Sequence, residues 1–228
     1  MIANKKTFNV GLIMMVAFIV VLVIFFMPVY NGHNGLNYLD SLYNSISKGS
    51  AYYIPKLKEE VQPFDGKPVD VNLTMKSAEQ AQQTALLFQK TGATAEANGE
   101  NLKVSGDMGQ ILSGCLEDSD AMYYNDGQKV ADKYGYGERQ ALFNWWSAIN
   151  AMEKNLNQQK NFKEAKIAAT VGKKAVEISY NYYKIEPQKI SDKYGIVIFS
   201  LVFYVVYTLW YGFGIMYMFE GWGLRLEH

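Results

Sequence analysis

The residues with the most chemical potential lie in an otherwise apolar stretch near the end of the chain. Tyr204, Tyr207 and Tyr211 recur at positions i, i+3 and i+7, and Thr208 adjoins them. A helix directs these four side chains toward one side. A hydroxyl group in hydrocarbon is costly unless it finds a hydrogen-bond partner. We therefore expect this side to meet another helix, a ligand or water.

Two glycines follow this tyrosine stripe. Gly212 and Gly214 lie on the next turn, where small residues let a neighbouring backbone approach closely. Helix packing is the simpler interpretation, and a pathway or a site for quinone or lipid is the functional one. We predict that six residues form a membrane-helix interface or a pore lining: Tyr204, Tyr207, Thr208, Tyr211, Gly212 and Gly214.

The sequence lacks the motifs of common catalytic sites. It contains no GxxxxGK[ST], GxSxG, HExxH or CxxCH pattern. His33 and His228 are the only histidines, so one chain cannot build a histidine triad or a multi-histidine metal site. Cys115 is the only cysteine, and we expect it to be a small buried apolar residue. We predict that the protein is not an enzyme and has no catalytic residue, cofactor or metal.

The segment 117–120 (EDSD) is acidic, and spaced carboxylates of this kind can bind calcium. The pattern D-x-[DN]-x-[DN]-G is absent, although 125–127 (NDG) follows closely. We therefore expect a solvated face or a helix cap.

Two long apolar segments dominate the organisation of the chain. Residues 8–29 and 194–219 contain no charged side chain. Each is at least as long as the ~20 apolar residues that a helix needs to cross the hydrocarbon core. We predict transmembrane helices over both segments.

These spans divide the chain into five parts. We expect a cytoplasmic tail at 1–7, an extracytoplasmic domain at 30–193 between the spans, and a second cytoplasmic tail at 220–228, where 226–228 (LEH) resembles the start of an expression tag. Lys5, Lys6 and Arg225 favour cytoplasmic termini, and large domains translocate with little regard to charge. The predicted location is the cell inner membrane, with the main domain periplasmic or extracellular.

The first part of the domain, 69–116, predicts a small β-α-β-β-α sandwich. Residues 69–73 alternate apolar and polar side chains, as a half-buried strand does. Ser77 and Gln80 have capping-box spacing before a helix over 78–90. Segments 94–97 and 102–104 predict two strands joined at Asn98-Gly99. A second helix begins near Met108.

The second part, 138–183, predicts a helical hairpin. Apolar side chains recur at helical spacing over 138–156 and again over 162–183, with a polar connection between them. Trp145 and Trp146 are adjacent, so a helix directs them about 100° apart. Because tryptophan is enriched at protein interfaces, we predict a partner surface at this pair. The fold class is therefore a membrane-anchored α+β protein.

Charge and architecture together limit the function. The 22 basic and 22 acidic residues balance, which gives no electrostatic footprint for nucleic acid. We predict a non-enzymatic integral membrane protein whose extracytoplasmic domain mediates assembly, as a homo-oligomer or as an accessory subunit of a larger complex. Its partners are the lipid bilayer and further copies or other membrane subunits. The alternatives are an ion channel or transporter with a pore lined by the second span, and a ligand-sensing ectodomain that acts through a separate partner.

Overall fold

The computed structural model describes residues 2–29 and 32–224, which divide into two compact units. The membrane unit contains the described residues of Met1–Ile46 and Lys189–His228, and the sheet unit is Ser47–Gln188. Tyr30, where the predicted domain begins, lies outside the described residues, as do Arg225 and the tag-like segment 226–228.

The described residues form ten α-helices and three strands. In chain order they are α1 Lys5–Phe26, α2 Gly35–Ser50, α3 Ile54–Val61, β1 Pro68–Thr74, α4 Ala78–Lys90, β2 Thr94–Asn98, β3 Asn101–Asp107, α5 Met108–Tyr123, α6 Gly127–Tyr134, α7 Glu138–Gln158, α8 Phe162–Val171, α9 Glu177–Asn181 and α10 Ile190–Gly221.

Helix α1 begins three residues before the predicted apolar segment because Asn4 caps it. The Asn4 side chain accepts hydrogen bonds from the backbone N–H groups of Lys6 (3.1 Å) and Thr7 (3.2 Å). The helix ends at Phe26, and Met27 is extended in front of Pro28. Helices α1 and α10 have 22 and 32 residues, and both are apolar enough to cross a membrane.

Close backbone contacts hold α1 and α10 together in antiparallel orientation. A Cβ atom added at Gly11 would lie 2.8 Å from the carbonyl oxygen of Gly214. About one turn closer to the start of α1, a Cβ at Gly221 would lie 2.5 Å from the backbone nitrogen of Phe8. Glycine therefore permits an approach that any larger residue would prevent.

The sheet unit contains a three-stranded antiparallel sheet with the order β1-β3-β2. Val71 lies opposite Val104 across the first pair of strands, and alternate residues of β1 are buried. Asn98 pairs with Asn101, so Gly99 and Glu100 form the hairpin turn, and Gly99 has a φ of 59°. The predicted β-α-β-β-α order is confirmed.

The predicted helical hairpin is more irregular than its periodicity indicates. Its first helix, α7, is continuous, but the second is divided into α8, a π-helical segment Gly172–Val176 and α9. A Cβ at Gly172 would lie 3.1 Å from the Ile149 side chain, so α7 passes very close to this segment. A π-helical turn shifts the register of the later side chains.

Helices α3 and α6 were not predicted. Helix α3 begins at Ile54 with Pro55 in its first turn, where the missing N–H of proline costs no hydrogen bond. Helix α6 ends at Gly135, which has a φ of 75°. The chain is thus mostly helical, with one small antiparallel sheet and two candidate membrane-spanning helices.

We predict that Gly11→Ala weakens the packing of α1 against α10. The added methyl group would lie within 3 Å of the α10 backbone at Gly214 and Met218, so the helices must separate. Overpacking of this kind typically costs about 1–3 kcal/mol. The measurement is the dodecyl sulfate concentration at which helicity is lost in mixed micelles. Gly195→Ala is the control, because nothing lies within 4 Å of its added Cβ. Equal midpoints for Gly11→Ala and the wild type would contradict this account.

Candidate functional site

The structure separates the six predicted membrane residues into two groups. Tyr207 and Tyr211 pack on the ring of Phe18 in α1, with centroid distances of 4.8 and 5.4 Å. Gly214 is buried on the same side of α10, against the side chain of Met15. These three residues therefore take part in the contact between the two apolar helices of one chain, although Tyr211 is also 45% exposed.

The other three residues face away from α1. Tyr204 is 66% exposed, and Thr208 and Gly212 are also exposed. The Thr208 hydroxyl donates to the Tyr204 carbonyl oxygen at 2.7 Å, so it is satisfied within the helix. The Tyr204 hydroxyl has no hydrogen-bond partner among the residues that the structure describes. No heavy atom of those residues lies within 4 Å of a Cβ added at Gly212.

Thr208 and Gly212 belong to a longer stripe along this face of α10, which we call the outer seam. Its positions alternate between spacings of four and three residues, which is the repeat of helices that pack at a shallow angle. The outer seam consists of Tyr194, Ile198, Leu201, Val205, Thr208, Gly212, Ile215 and Phe219. Tyr204 flanks it.

The sheet unit contains a buried carboxylate that sequence reasoning missed. Asp118 of α5 accepts hydrogen bonds from the hydroxyl of Tyr134 (2.5 Å) and from the indole Nε1 of Trp145 (2.8 Å). Its other oxygen pairs with the Nζ of Lys133 at 2.7 Å. Burial, followed by the Asp118 charge, raises the pKa of Tyr134 far above 10.0, so its hydroxyl keeps the proton that it donates.

This finding corrects the prediction of a solvated face or a cap for Asp118. Its side chain is only 4% exposed. The sequence does hold a signal, because Ile111, Cys115, Asp118 and Met122 recur at spacings of four, three and four residues and share one helix face. Cys115 is buried, as predicted.

The partner-surface prediction is wrong for Trp145, whose side chain is fully buried. The Trp145 ring packs edge-on against Phe88, and its indole N–H donates a hydrogen bond to Asp118. Trp146, by contrast, is 38% exposed and lies stacked on Phe143 at 5.9 Å. The two adjacent tryptophan side chains point in different directions, as expected in a helix, and of the pair only Trp146 is exposed at the surface.

A buried lysine is the second feature that the sequence did not reveal. The Nζ of Lys48 donates to the carbonyl oxygen of Ile185 (2.6 Å) and to Oδ1 of Asn125 (3.0 Å). Burial lowers the pKa of Lys48, and the charge of Glu186 partly opposes this effect. Tyr123 donates to the Lys48 carbonyl oxygen at 2.6 Å. This cluster ties the first residues of the sheet unit to its last ones.

Comparison of the chain with protein-family models, with curated proteins and with solved structures gives no match. The class of protein must therefore be inferred from the sequence and structure of this chain. Two helices that are long and apolar enough to cross a membrane indicate a membrane protein, and the sheet unit is a mostly helical body with one small sheet.

We predict that Asp118→Asn lowers the free energy of unfolding of the sheet unit by about 3 kcal/mol. The amide nitrogen replaces an acceptor with a donor, so at least one buried donor loses its charged partner, which costs about 1.5–3 kcal/mol for each bond. The measurement is urea unfolding of the full-length protein, followed by tryptophan fluorescence.

The matched control is Glu117→Gln, the same change at the exposed neighbouring position. It should leave the urea midpoint unchanged. If both variants unfold at the wild-type midpoint, the Asp118 contacts are not important for stability.

Proposed function

We propose that this chain is a non-enzymatic integral membrane protein that self-associates through the outer seam of α10. The observation that carries the proposal is the combination of Tyr204 and Gly212 on one exposed face. Tyr204 presents a hydroxyl with no partner among the described residues, and Gly212 leaves a gap. Both features need a neighbour when the helix lies in lipid.

Lipid chains offer neither a hydrogen bond nor selective packing, so helices associate in membranes through close contact and polar groups. A second copy of α10 supplies both. Its backbone fits against Gly212, and its carbonyl or hydroxyl oxygens can accept from Tyr204. The contact between α1 and α10 already uses this device, since Gly11 and Gly214 meet there.

Copies inserted in one membrane share the same orientation, so the outer seams of neighbouring chains run parallel. Each Gly212 then lies at the same depth as its counterpart. The alternating spacing of the seam residues favours left-handed packing at a shallow angle. A closed ring or a symmetric dimer satisfies this arrangement.

The packing of Tyr207 and Tyr211 favours helix association over a channel. Phe18 packs on both rings, although Tyr211 is still 45% exposed, so the exposed hydroxyl residues of the stripe are Tyr204, Thr208 and Tyr211. Three hydroxyl side chains without a charge give little selectivity for ions.

The proposed location is the cell inner membrane, with both termini cytoplasmic and the sheet unit periplasmic or extracellular. Lys5 and Lys6 directly precede the apolar part of α1, which supports a cytoplasmic start. The sheet unit would then meet the corresponding units of neighbouring copies, or of other subunits, on the outer side.

We expect Gly212→Leu to shift the protein from an oligomer to a monomer. The leucine side chain fills the gap that a second α10 needs, yet it has open space in the isolated chain. Tyr204→Phe should raise the dissociation constant by about threefold to twentyfold, since hydrogen bonds between membrane helices contribute ~0.6–1.7 kcal/mol. The measurement is native mass spectrometry from mild detergent, as multiples of 25.8 kDa.

Gly195→Leu is the control for added bulk. Gly195 also has open space around it, but it lies about 100° away from Gly212 around the axis of α10. Its oligomer mass should equal that of the wild type. A monomeric wild type, or an unchanged mass for Gly212→Leu, refutes the proposed interface.

A further inference from the structure

A cleft of about 650 Å³ lies between β1 and α7 in the sheet unit. Small-molecule sites usually have volumes of about 300–1,000 Å³. Thr74 and Lys76 line it on the strand side, and Trp146, Asn150 and Lys154 line it on the helix side. None of these five residues belongs to the buried Asp118 cluster.

The wall formed by β1 does not accept an added peptide strand. β1 is an edge strand, but two of its carbonyl groups are already occupied by one amide of α7 and by the amide of the residue that follows this helix. Asn155 donates to the Asn72 carbonyl oxygen at 3.2 Å, and Gln159 donates to that of Asp70 at 2.8 Å. Such capping blocks strand pairing. A ligand of this cleft therefore binds through side chains.

The side chain of Trp146 gives the cleft a flat aromatic wall. Phe143 supports its ring from behind at an interplanar angle of 25°, and Tyr180 continues the row at 6.4 Å from Phe143. Trp146, Phe143 and Tyr180 also line a second depression of about 240 Å³. The aromatic row thus joins two depressions, which suits a ligand with several repeating units.

The polar lining is rich in amides and nearly neutral. Asn150 has no hydrogen-bond partner among the described residues, so its amide is free to donate and to accept. Lys76 and Lys154 are offset by Glu153 in the cleft and by Glu177 in the second depression. Single-stranded nucleic acid requires a positively charged groove, which this balance does not provide. A purely apolar ligand requires an apolar lining.

We propose that this cleft binds a neutral oligosaccharide. The apolar C–H face of a sugar ring packs on the indole of Trp146, as aromatic rings with one exposed face allow. Hydroxyl groups both donate and accept, and the amide of Asn150 offers the same two functions. Lys76 and Lys154 donate at the rim. This inference does not rest on self-association through α10, because every residue concerned belongs to the sheet unit.

The test is titration of full-length protein in phosphatidylcholine nanodiscs with cellotetraose, maltotetraose and tetra-N-acetylchitotetraose. Detergents with sugar head groups must be removed, since they carry the same chemistry. Binding is followed by isothermal calorimetry and by tryptophan fluorescence. At least one tetrasaccharide should bind with a Kd below about 1 mM. Trp146→Ala should weaken that binding by tenfold or more, as removal of a central tryptophan often does.

Trp222→Ala is the matched control, because Trp222 is 53% exposed but belongs to the membrane unit. It should leave the Kd unchanged. Asn150→Leu provides a second variant in case Trp146→Ala fails to fold, and it should also weaken binding. If no tetrasaccharide binds below about 1 mM, or if Trp146→Ala and Asn150→Leu both bind as the wild type does, the cleft is not a glycan site. A negatively charged heparin tetrasaccharide that binds more tightly than the neutral ones would also overturn the proposal.

Discussion

The sheet unit depends on one buried charge. Asp118 has little access to water at its position, so the protein supplies most of its hydrogen bonds, and a buried carboxylate without partners would cost several kcal/mol. The donors come from α6 and α7, while Asp118 itself belongs to α5. Three helices are therefore fixed relative to each other by one side chain, and α7 in turn carries Phe143 and Trp146 of the aromatic row and one wall of the cleft.

In the membrane unit, close backbone contact holds the helices together, whereas in the sheet unit a buried charge does so. Gly11, Gly214 and Gly221 allow the backbones of α1 and α10 to touch. Only one polar side chain bonds across this helix pair among the described residues, namely the Trp210 Nε1–H to the Met14 carbonyl oxygen at 3.1 Å. The two units are thus stabilised in different ways. Hydrogen bonds to a buried carboxylate hold the helices of the sheet unit together, whereas small residues allow close helix packing in the membrane unit.

Local sequence patterns predict the helices and strands well, but they do not predict contacts between segments that are distant in the sequence. The alternation in β1 and the Ser77 cap each follow from neighbouring residues, and the cap is present as a hydrogen bond of 3.1 Å from the Gln80 N–H. The partners of Asp118 lie up to 27 residues away, and no periodicity encodes that distance. The split of the tyrosine stripe has the same cause, since the position of Phe18 decides which tyrosine rings pack against α1. Periodicity places residues on a face but does not identify what meets that face.

The amides of α7 and of Gln159, the residue after it, show how folding and binding can be separated along one segment. Asn155 and Gln159 complete the hydrogen bonds of the β1 edge, so their polarity is explained by the fold. Asn150 lies further toward the start of α7 and makes no such bond among the described residues. An apolar residue there would suit the helix equally well, because asparagine is a poor helix former. The partly exposed amide of Asn150 beside Trp146 is therefore available to a ligand through both its donor and its acceptor.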